Sequence, residues 1–190
     1  MAEIQSLALD LFRRDGFDAV TMEHISTEAG TSPSTLYRYF GTKEGIVLWD
    51  DFDGPVGKAI VRRLMAGDSA REAVCEAFCT ALADGLAKQG NAHMQRIQFI
   101  YDTPQVHGAA IEQQIEDVAA LAAGLRDMLQ EDDDGFTAEV LAGACYAAMD
   151  CAIKRWVDSE GATPLKELMG AAFDALQWRG ETDPRQGEKR

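Results

Sequence analysis

The chain has 190 residues, with 18 lysines and arginines against 32 aspartates and glutamates, a formal charge of −14 at pH 7. Hydrophobic residues make up 46 %, which excludes wholesale disorder and supplies either one sizeable core or a small domain plus a larger one. No unbroken apolar run reaches the roughly 18 residues of a bilayer span, and Met1–Leu11 lacks the basic and apolar regions of a signal peptide, so a cytoplasmic protein with no membrane partner is expected.

Read in chain order, the elements are helical nearly throughout. Leu7, Ala8, Leu11 and Phe12 form an apolar stripe at helical spacing that ends at Asp15-Gly16. Thr21 is placed to cap a second helix, with Met22, Ile25 and Ala29 on one side and Gly30 as its stop. Ser32-Pro33 starts a third helix, serine as cap and proline at the first helical position, running through Leu36 to Phe40. Gly41 breaks it, and Thr42 caps a fourth helix through Trp49. Gly54-Pro55 opens a segment to Ala66, and Asp68-Ser69 a helix to about Lys88. Gly90-Asn91 precedes another that ends near Asp102, and Pro104 starts a long run to Gln130. An acidic loop at 131–135 is followed by helices over 137–158 and 164–179 and by a polar tail at 180–190 that is expected to be disordered.

Two short helices joined by a turn at Gly30 make the helix-turn-helix plan, in which the second helix enters the major groove of DNA. That second helix carries Ser32, Ser34, Thr35, Tyr37, Arg38 and Tyr39 as polar content, with Leu36 and Phe40 as its inner face. Composition does not favour this reading. Residues 1–48 hold four basic residues (Arg13, Arg14, Arg38, Lys43) against seven acidic ones, a net of −3, whereas phosphate contacts supply much of the affinity for DNA. The motif therefore carries the claim.

The stretch Ile4–Trp49 resembles the DNA-binding domain of TetR-family regulators. The matching residues are Ala8, Leu11-Phe12, Gly16-Phe17, Thr21, Ile25, Ala29-Gly30, Ser32, Thr35-Leu36-Tyr37, Tyr39-Phe40 and Lys43-Glu44. The resemblance implies an all-α fold: a three-helix helix-turn-helix DNA-binding domain over 1–48, then a larger helical ligand-binding and dimerisation domain over 49–179. It implies a homodimeric repressor that binds a double-stranded operator and is released by a small molecule. Thr21, Thr35, Tyr37, Tyr39 and Lys43 would contact phosphates, and Pro33, Ser34 and Arg38 would face bases, Arg38 being the side chain able to grip guanine with two hydrogen bonds. Taken singly, Thr21 serves as well as a simple cap, the tyrosines as packing aromatics and Lys43 as a solvated lysine. Many family members carry a basic arm before the first helix. Here that arm has no lysine or arginine, so either affinity leans on dimerisation or the true start lies upstream.

In the remaining helices the candidate ligand-pocket residues are Trp49, Phe52, His93, Met94, Arg96, Phe99, Tyr101, His107, Met128, Tyr146 and Met149, a set of aromatics, methionines and polar groups with no constellation that names a ligand. The last two helices suit a dimer interface, with Leu141, Cys145, Ala148, Ala152, Trp156, Leu168, Met169, Ala172, Phe173 and Leu176 as its candidates. The family resemblance implies that two helices from each subunit form a four-helix bundle. The alternative is that these stripes close the chain's own core.

Cys75, Cys79, Cys145 and Cys151 match no zinc spacing and read as buried small hydrophobes, a redox sensor being the alternative. The run Asp132–Asp134 lacks the alternating ligands of a calcium loop, so no metal and no cofactor is expected. No nucleophile elbow, zinc-protease helix or phosphate loop appears, and His24, His93 and His107 form no catalytic group, which disfavours an enzyme. A helical interaction protein that has lost DNA binding is the third reading.

Overall fold

In the computed structural model of the chain, residues 1–50, 53–129 and 134–176 are described, and among them every regular element is helical. The N-terminal set is α1 (Ala2–Asp15), α2 (Met22–Glu28), α3 (Pro33–Phe40) and α4 (Lys43–Leu48). There follow α5 (Asp53–Met65), α6 (Ala70–Ala77), a π-helical turn (Phe78–Leu82), α7 (Ala83–Asp102), α8 (Pro104–Leu129), α9 (Phe136–Asp158) and α10 (Leu165–Ala175). The predicted tail at 180–190, the acidic residues 131–133 and Phe52 lie outside the described residues.

Local chemistry sets the N-terminal boundaries. The side chains of Thr21, Ser32 and Thr42 accept from the backbone N–H groups of His24, Thr35 and Gly45, so three short helices in succession are capped. At Gly30 the backbone turns through φ +62°, and Thr31 N–H reaches the Ser26 carbonyl across the turn. A side chain is tolerated there only with strain. Gly45 has a different reason: a Cβ on it would collide with the Phe40 carbonyl where α3 gives way to α4. Ser69 and Glu72 form a reciprocal capping box at the start of α6.

Two hydrophobic cores result. Ala8, Leu11, Phe12, Val20, Ile25, Leu36, Ile46 and Val47 are buried in the first, which clamps α3 between its neighbours. Val106 of α8 is buried in the same cluster, with Phe99 and Ile100 of α7 packed against it. Phe99 stacks on Phe12 at 5.9 Å between ring centroids. The second core gathers Val56 and Ile60 of α5, Val74 of α6, Phe78, Leu125 of α8, Cys145 and Trp156 of α9, and Met169 and Phe173 of α10.

Two expectations change, the helix break at Gly90-Asn91 and the burial of all four cysteines. The break predicted at Gly90-Asn91 does not occur, since α7 runs through it. One glycine costs a helix only about 1 kcal/mol, and continued backbone hydrogen bonding outweighs that. α9 has the length and mean hydropathy of a bilayer span, although no unbroken apolar run marks it. Its Ala138, Ala142, Cys145, Ala148, Ala152 and Trp156 are buried within the fold, while Phe136 and Val140 are exposed. Of the cysteines expected to be buried, Cys145 is, Cys75 and Cys79 are half-buried, and Cys151 is exposed. Burial pushes the Cys79 thiol up to about 11, which makes it a poor nucleophile.

Candidate nucleic-acid interface and ligand cavity

α3 presents its polar residues because its apolar ones are few and spaced four apart. Leu36 and Phe40 are buried, while Pro33, Ser34, Tyr37, Arg38 and Tyr39 are exposed and Thr35 is half-buried. At about 100° per residue, Ser34 and Arg38 project away from the core, and Tyr37 and Tyr39 fall on the two flanks. Such a face is shaped for a groove, with bases ahead and phosphate strands to either side.

The hydrogen bonds at this face are local. Ser32 Oγ lies 2.9 Å from both Ser34 Oγ and Thr35 Oγ1 and accepts from Thr35 N–H, so the first turn of α3 is held by its own hydroxyls. Thr21 Oγ1 accepts from His24 N–H, which leaves its own O–H to donate outward. The Arg38 guanidinium lies over the Tyr39 ring, 4.8 Å from its centroid, which steadies a long side chain at the surface. The predicted role of Lys43 is shared: its Nζ donates to the Phe17 carbonyl at 2.7 Å and sits 4.5 Å from the Phe17 ring centroid. An ammonium has three donors, so this contact fixes the amine without exhausting it. Arg13 and Arg14 are paired with Asp10 and Asp15.

A cavity of about 470 Å³ lies between α5, the π-helical turn, α8 and α9. Among the described residues, Val56, Gly57, Ile60, Val61, Phe78, Ala120, Leu121, Gly124, Leu125 and Met149 give it apolar walls, and Asp50, Asp117 and the Tyr146 phenol contribute polar groups. A second recess of about 450 Å³, between α1, the end of α4 and α7, is lined by Gln5, Arg13, Trp49, His93 and Arg96 among others.

Residues 4–48 match the family described as bacterial regulatory proteins, tetR family, and residues 68–179 match the MftR C-terminal domain. The second match alone covers more than half of the chain. The chain belongs to the TetR family. It is a DNA-binding transcriptional regulator. It is 26 % identical over 187 residues to MftR of Mycobacterium tuberculosis, described as a mycofactocin biosynthesis transcriptional regulator, a match spanning 91 % of this chain and 87 % of that one. Two solved structures share the fold. FadR of Thermus thermophilus, a TetR-family transcriptional repressor in complex with lauroyl-CoA, has a TM-score of 0.56 at 20 % identity, covering 96 % of this chain and 98 % of its own. FadR of Bacillus halodurans, a fatty acid degradation regulator, has a TM-score of 0.57 at 16 % identity, covering 95 % and 99 %.

Within this TetR-family fold the predicted ligand residues disperse. Tyr146 and Met149 line the larger cavity. Phe99 does not: it packs in the N-terminal core against Phe12 and Phe17. Tyr101 donates to Asp150 at 2.8 Å, and His107 meets the Tyr101 ring edge-on. Met94 packs against the C-terminal core. Trp49, His93 and Arg96 line the second recess instead. His93 is buried beside Trp156, and burial, then the Arg96 charge, push its pKa down to about 3. Phe52 and the Met128 side chain lie outside what is described.

The predicted dimer residues also divide. Cys145, Ala148, Ala152, Trp156, Met169 and Phe173 are buried in the chain's own core and cannot reach a second subunit without opening it. Leu141, Leu168 and Ala172 are half-buried, and Leu176 is exposed. Exposed apolar side chains on α9 are instead Phe136 and Val140, one turn apart.

Sequence reasoning missed the cavity walls on α5 and α8. The available signal was Gly57 and Gly124, each isolated inside a helical pattern.

Proposed function

We propose that this regulator is a homodimeric, cytoplasmic repressor whose two α3 helices read an operator, and that a small molecule entering the cavity between α5, α8 and α9 releases it. It has no catalytic role in this reading. Residues 1–48 form the DNA-reading unit and the chain beyond them the ligand-binding and dimerisation unit. Ser34 and Arg38, with Pro33, face the bases. Thr21, Thr35, Tyr37, Tyr39 and Lys43 hold the phosphates. The subunits meet through the outward faces of α9 and α10, where Phe136, Val140, Leu141, Leu168, Ala172 and Leu176 leave apolar surface uncovered.

One observation carries this reading: a capped, eight-residue α3 whose Ser34, Tyr37, Arg38 and Tyr39 face out while Leu36 and Phe40 anchor it. The FadR complex with lauroyl-CoA supports a ligand-responsive C-terminal domain in a protein of the same fold. The test is fluorescence anisotropy with labelled DNA from upstream of the chain's own gene against scrambled competitor. Specific, salt-sensitive binding of one dimer per site is expected. Binding that does not distinguish operator from scrambled DNA would refute the assignment of sequence reading to α3.

A further inference from the structure

We propose that Phe17, in the loop between α1 and α2, is a positioning residue for the Lys43 ammonium in DNA binding, and that α7 and α8 hold Phe17 in place. The inference rests on reading Lys43 as a phosphate contact and adds what aims it.

Two groups of one residue hold the amine. Lys43 Nζ donates to the Phe17 carbonyl at 2.7 Å and lies 4.5 Å from the centroid of the Phe17 ring. A carbonyl oxygen and an aromatic face both favour a cation, so this long side chain gives up rotamer freedom before DNA arrives. One of its three N–H donors is used at the carbonyl, which leaves donors for a phosphate. Lys43 also opens α4, where the positive end of the helix dipole disfavours a cation. Its place there serves something other than the stability of α4.

Phe17 is held in turn by helices far along the chain. Its ring is buried, 4.9 Å from that of Phe12 in α1 and 6.2 Å from that of Phe99 in α7, and Phe99 stacks on Phe12 at 5.9 Å. The three rings close a triangle that joins α7 to the loop. The next residue is tied as well, because Gln105 Nε2 of α8 donates to Asp18 Oδ1 at 3.1 Å. Two successive residues of the loop are thus fixed by α7 and α8, and Lys43 takes its position from the first of them.

Anisotropy titration of the full chain against a labelled DNA duplex, over a series of salt concentrations, tests this with native protein, Phe17→Leu, Lys43→Met and the double variant. The duplex comes from upstream of the chain's own gene or is scrambled, since phosphate contacts are independent of sequence. Phe17→Leu keeps an apolar core residue and removes the ring face. It should weaken binding about tenfold in native protein, where both subunits of a dimer lose a preorganised lysine, and by less than about twofold in Lys43→Met, where there is no amine to aim. Lys43→Met should make the slope of log K against log salt shallower by about 2 for a dimer, and Phe17→Leu should move it the same way. Phe99→Leu and Gln105→Ala should repeat the pattern with smaller losses. Gln105 is exposed, so its variant stands in if a thermal melt shows that Phe17→Leu does not fold. If Lys43→Met leaves affinity and slope unchanged, Lys43 holds no phosphate and the inference falls with that reading. If Lys43→Met weakens binding and Phe17→Leu does not, the phosphate contact stands and the positioning role falls. Equal losses from Phe17→Leu with and without the lysine overturn the proposal and make Phe17 a structural residue. Unchanged affinity in both Phe99→Leu and Gln105→Ala overturns the part assigned to α7 and α8.

Discussion

Three carbonyls at the end of α4 are held by two side chains from different parts of the chain. Gln5 Nε2 of α1 donates to the carbonyls of Ile46, Val47 and Trp49 at 2.9, 3.1 and 2.7 Å. Arg96 Nη1 of α7 donates to those of Val47 and Trp49 at 3.1 and 2.8 Å. Arg96 is only 6 % exposed, so its contacts are shielded from water. Arg96→Met keeps the aliphatic stem and removes the donors. A hydrogen bond to a charged group is worth about 1.5–3 kcal/mol, and since Gln5 still reaches both carbonyls the expected loss is about 2 kcal/mol rather than the sum of two bonds. Gln5→Ala, losing a neutral donor, should cost about 1 kcal/mol. The double variant strips the Val47 and Trp49 carbonyls of both donors, and its cost should exceed the sum of the singles by about 1 kcal/mol. Urea unfolding of the four proteins, followed by circular dichroism, measures this cycle. Additivity within about 0.5 kcal/mol would refute the claim that the two side chains share the load.

Further outcomes follow from other sites. Arg38→Ala should cost about 1–3 kcal/mol at an operator containing guanine and flatten the preference between bases, and unchanged preference in a competition assay would remove Arg38 from base reading. With Arg38 and Lys43 as the cations of each subunit near DNA, a dimer brings four charges, so log K against log salt should have a slope near about −4, and Lys43→Ala should make it shallower. Gly45→Ala should lower stability by about 2 kcal/mol in a thermal melt, because its Cβ meets the Phe40 carbonyl and the α3–α4 turn must shift. Buried His93 is held neutral with its pKa pushed down to about 3. The unfolded chain takes up that proton near pH 6.5 and the native chain does not, so stability is complete above pH 6.5 and falls by up to about 1.4 kcal/mol per unit between there and pH 3. A His93→Phe variant should show a flatter profile over that window, and an unaltered one would remove His93 as its source.

The N-terminal helices were legible because their signals are local. Thr21, Ser32 and Thr42 each cap a helix whose free N–H lies three residues away, and Gly30 and Gly41 end helices at positive φ, so a window of a few residues contains the cause. The polar face of α3 follows from the spacing of Leu36 and Phe40 alone. The C-terminal helices carry the same period with a different meaning. An apolar stripe states that a face is buried and not which helix covers it. Phe99 thus joins Phe12 and Phe17 across more than eighty residues of chain, and the stripe from Cys145 to Trp156 turns into its own core rather than toward a partner. In sequence Arg96 reads as a polar group, but its role depends on two backbone carbonyls about fifty positions earlier, and backbone acceptors leave no trace in sequence.

The same junction supplies a route from cavity to groove. Asp50 lines the cavity, and its chain neighbour Trp49 offers the carbonyl that Gln5 and Arg96 both grip. α4 begins at Lys43, which is tied to the Phe17 carbonyl, and Trp49 meets Phe40 of α3 edge-on at 6.4 Å. A ligand that moves Asp50 therefore acts on a short helix anchored at both ends and packed against the end of α3. For the proposed repressor, the free energy by which ligand weakens DNA binding equals that by which DNA weakens ligand binding. If the grip on Trp49 transmits it, Arg96→Met should shrink both effects equally, from a typical coupling of about 1–3 kcal/mol toward zero. Ligand affinity without DNA should stay near its original value, because Arg96 does not line the larger cavity. Measuring DNA affinity with and without saturating ligand, in native and variant protein, decides the point. Undiminished coupling in Arg96→Met would place the transmission elsewhere, for example in the packing of Phe99 and Val106 into the N-terminal core or the Gln105–Asp18 hydrogen bond.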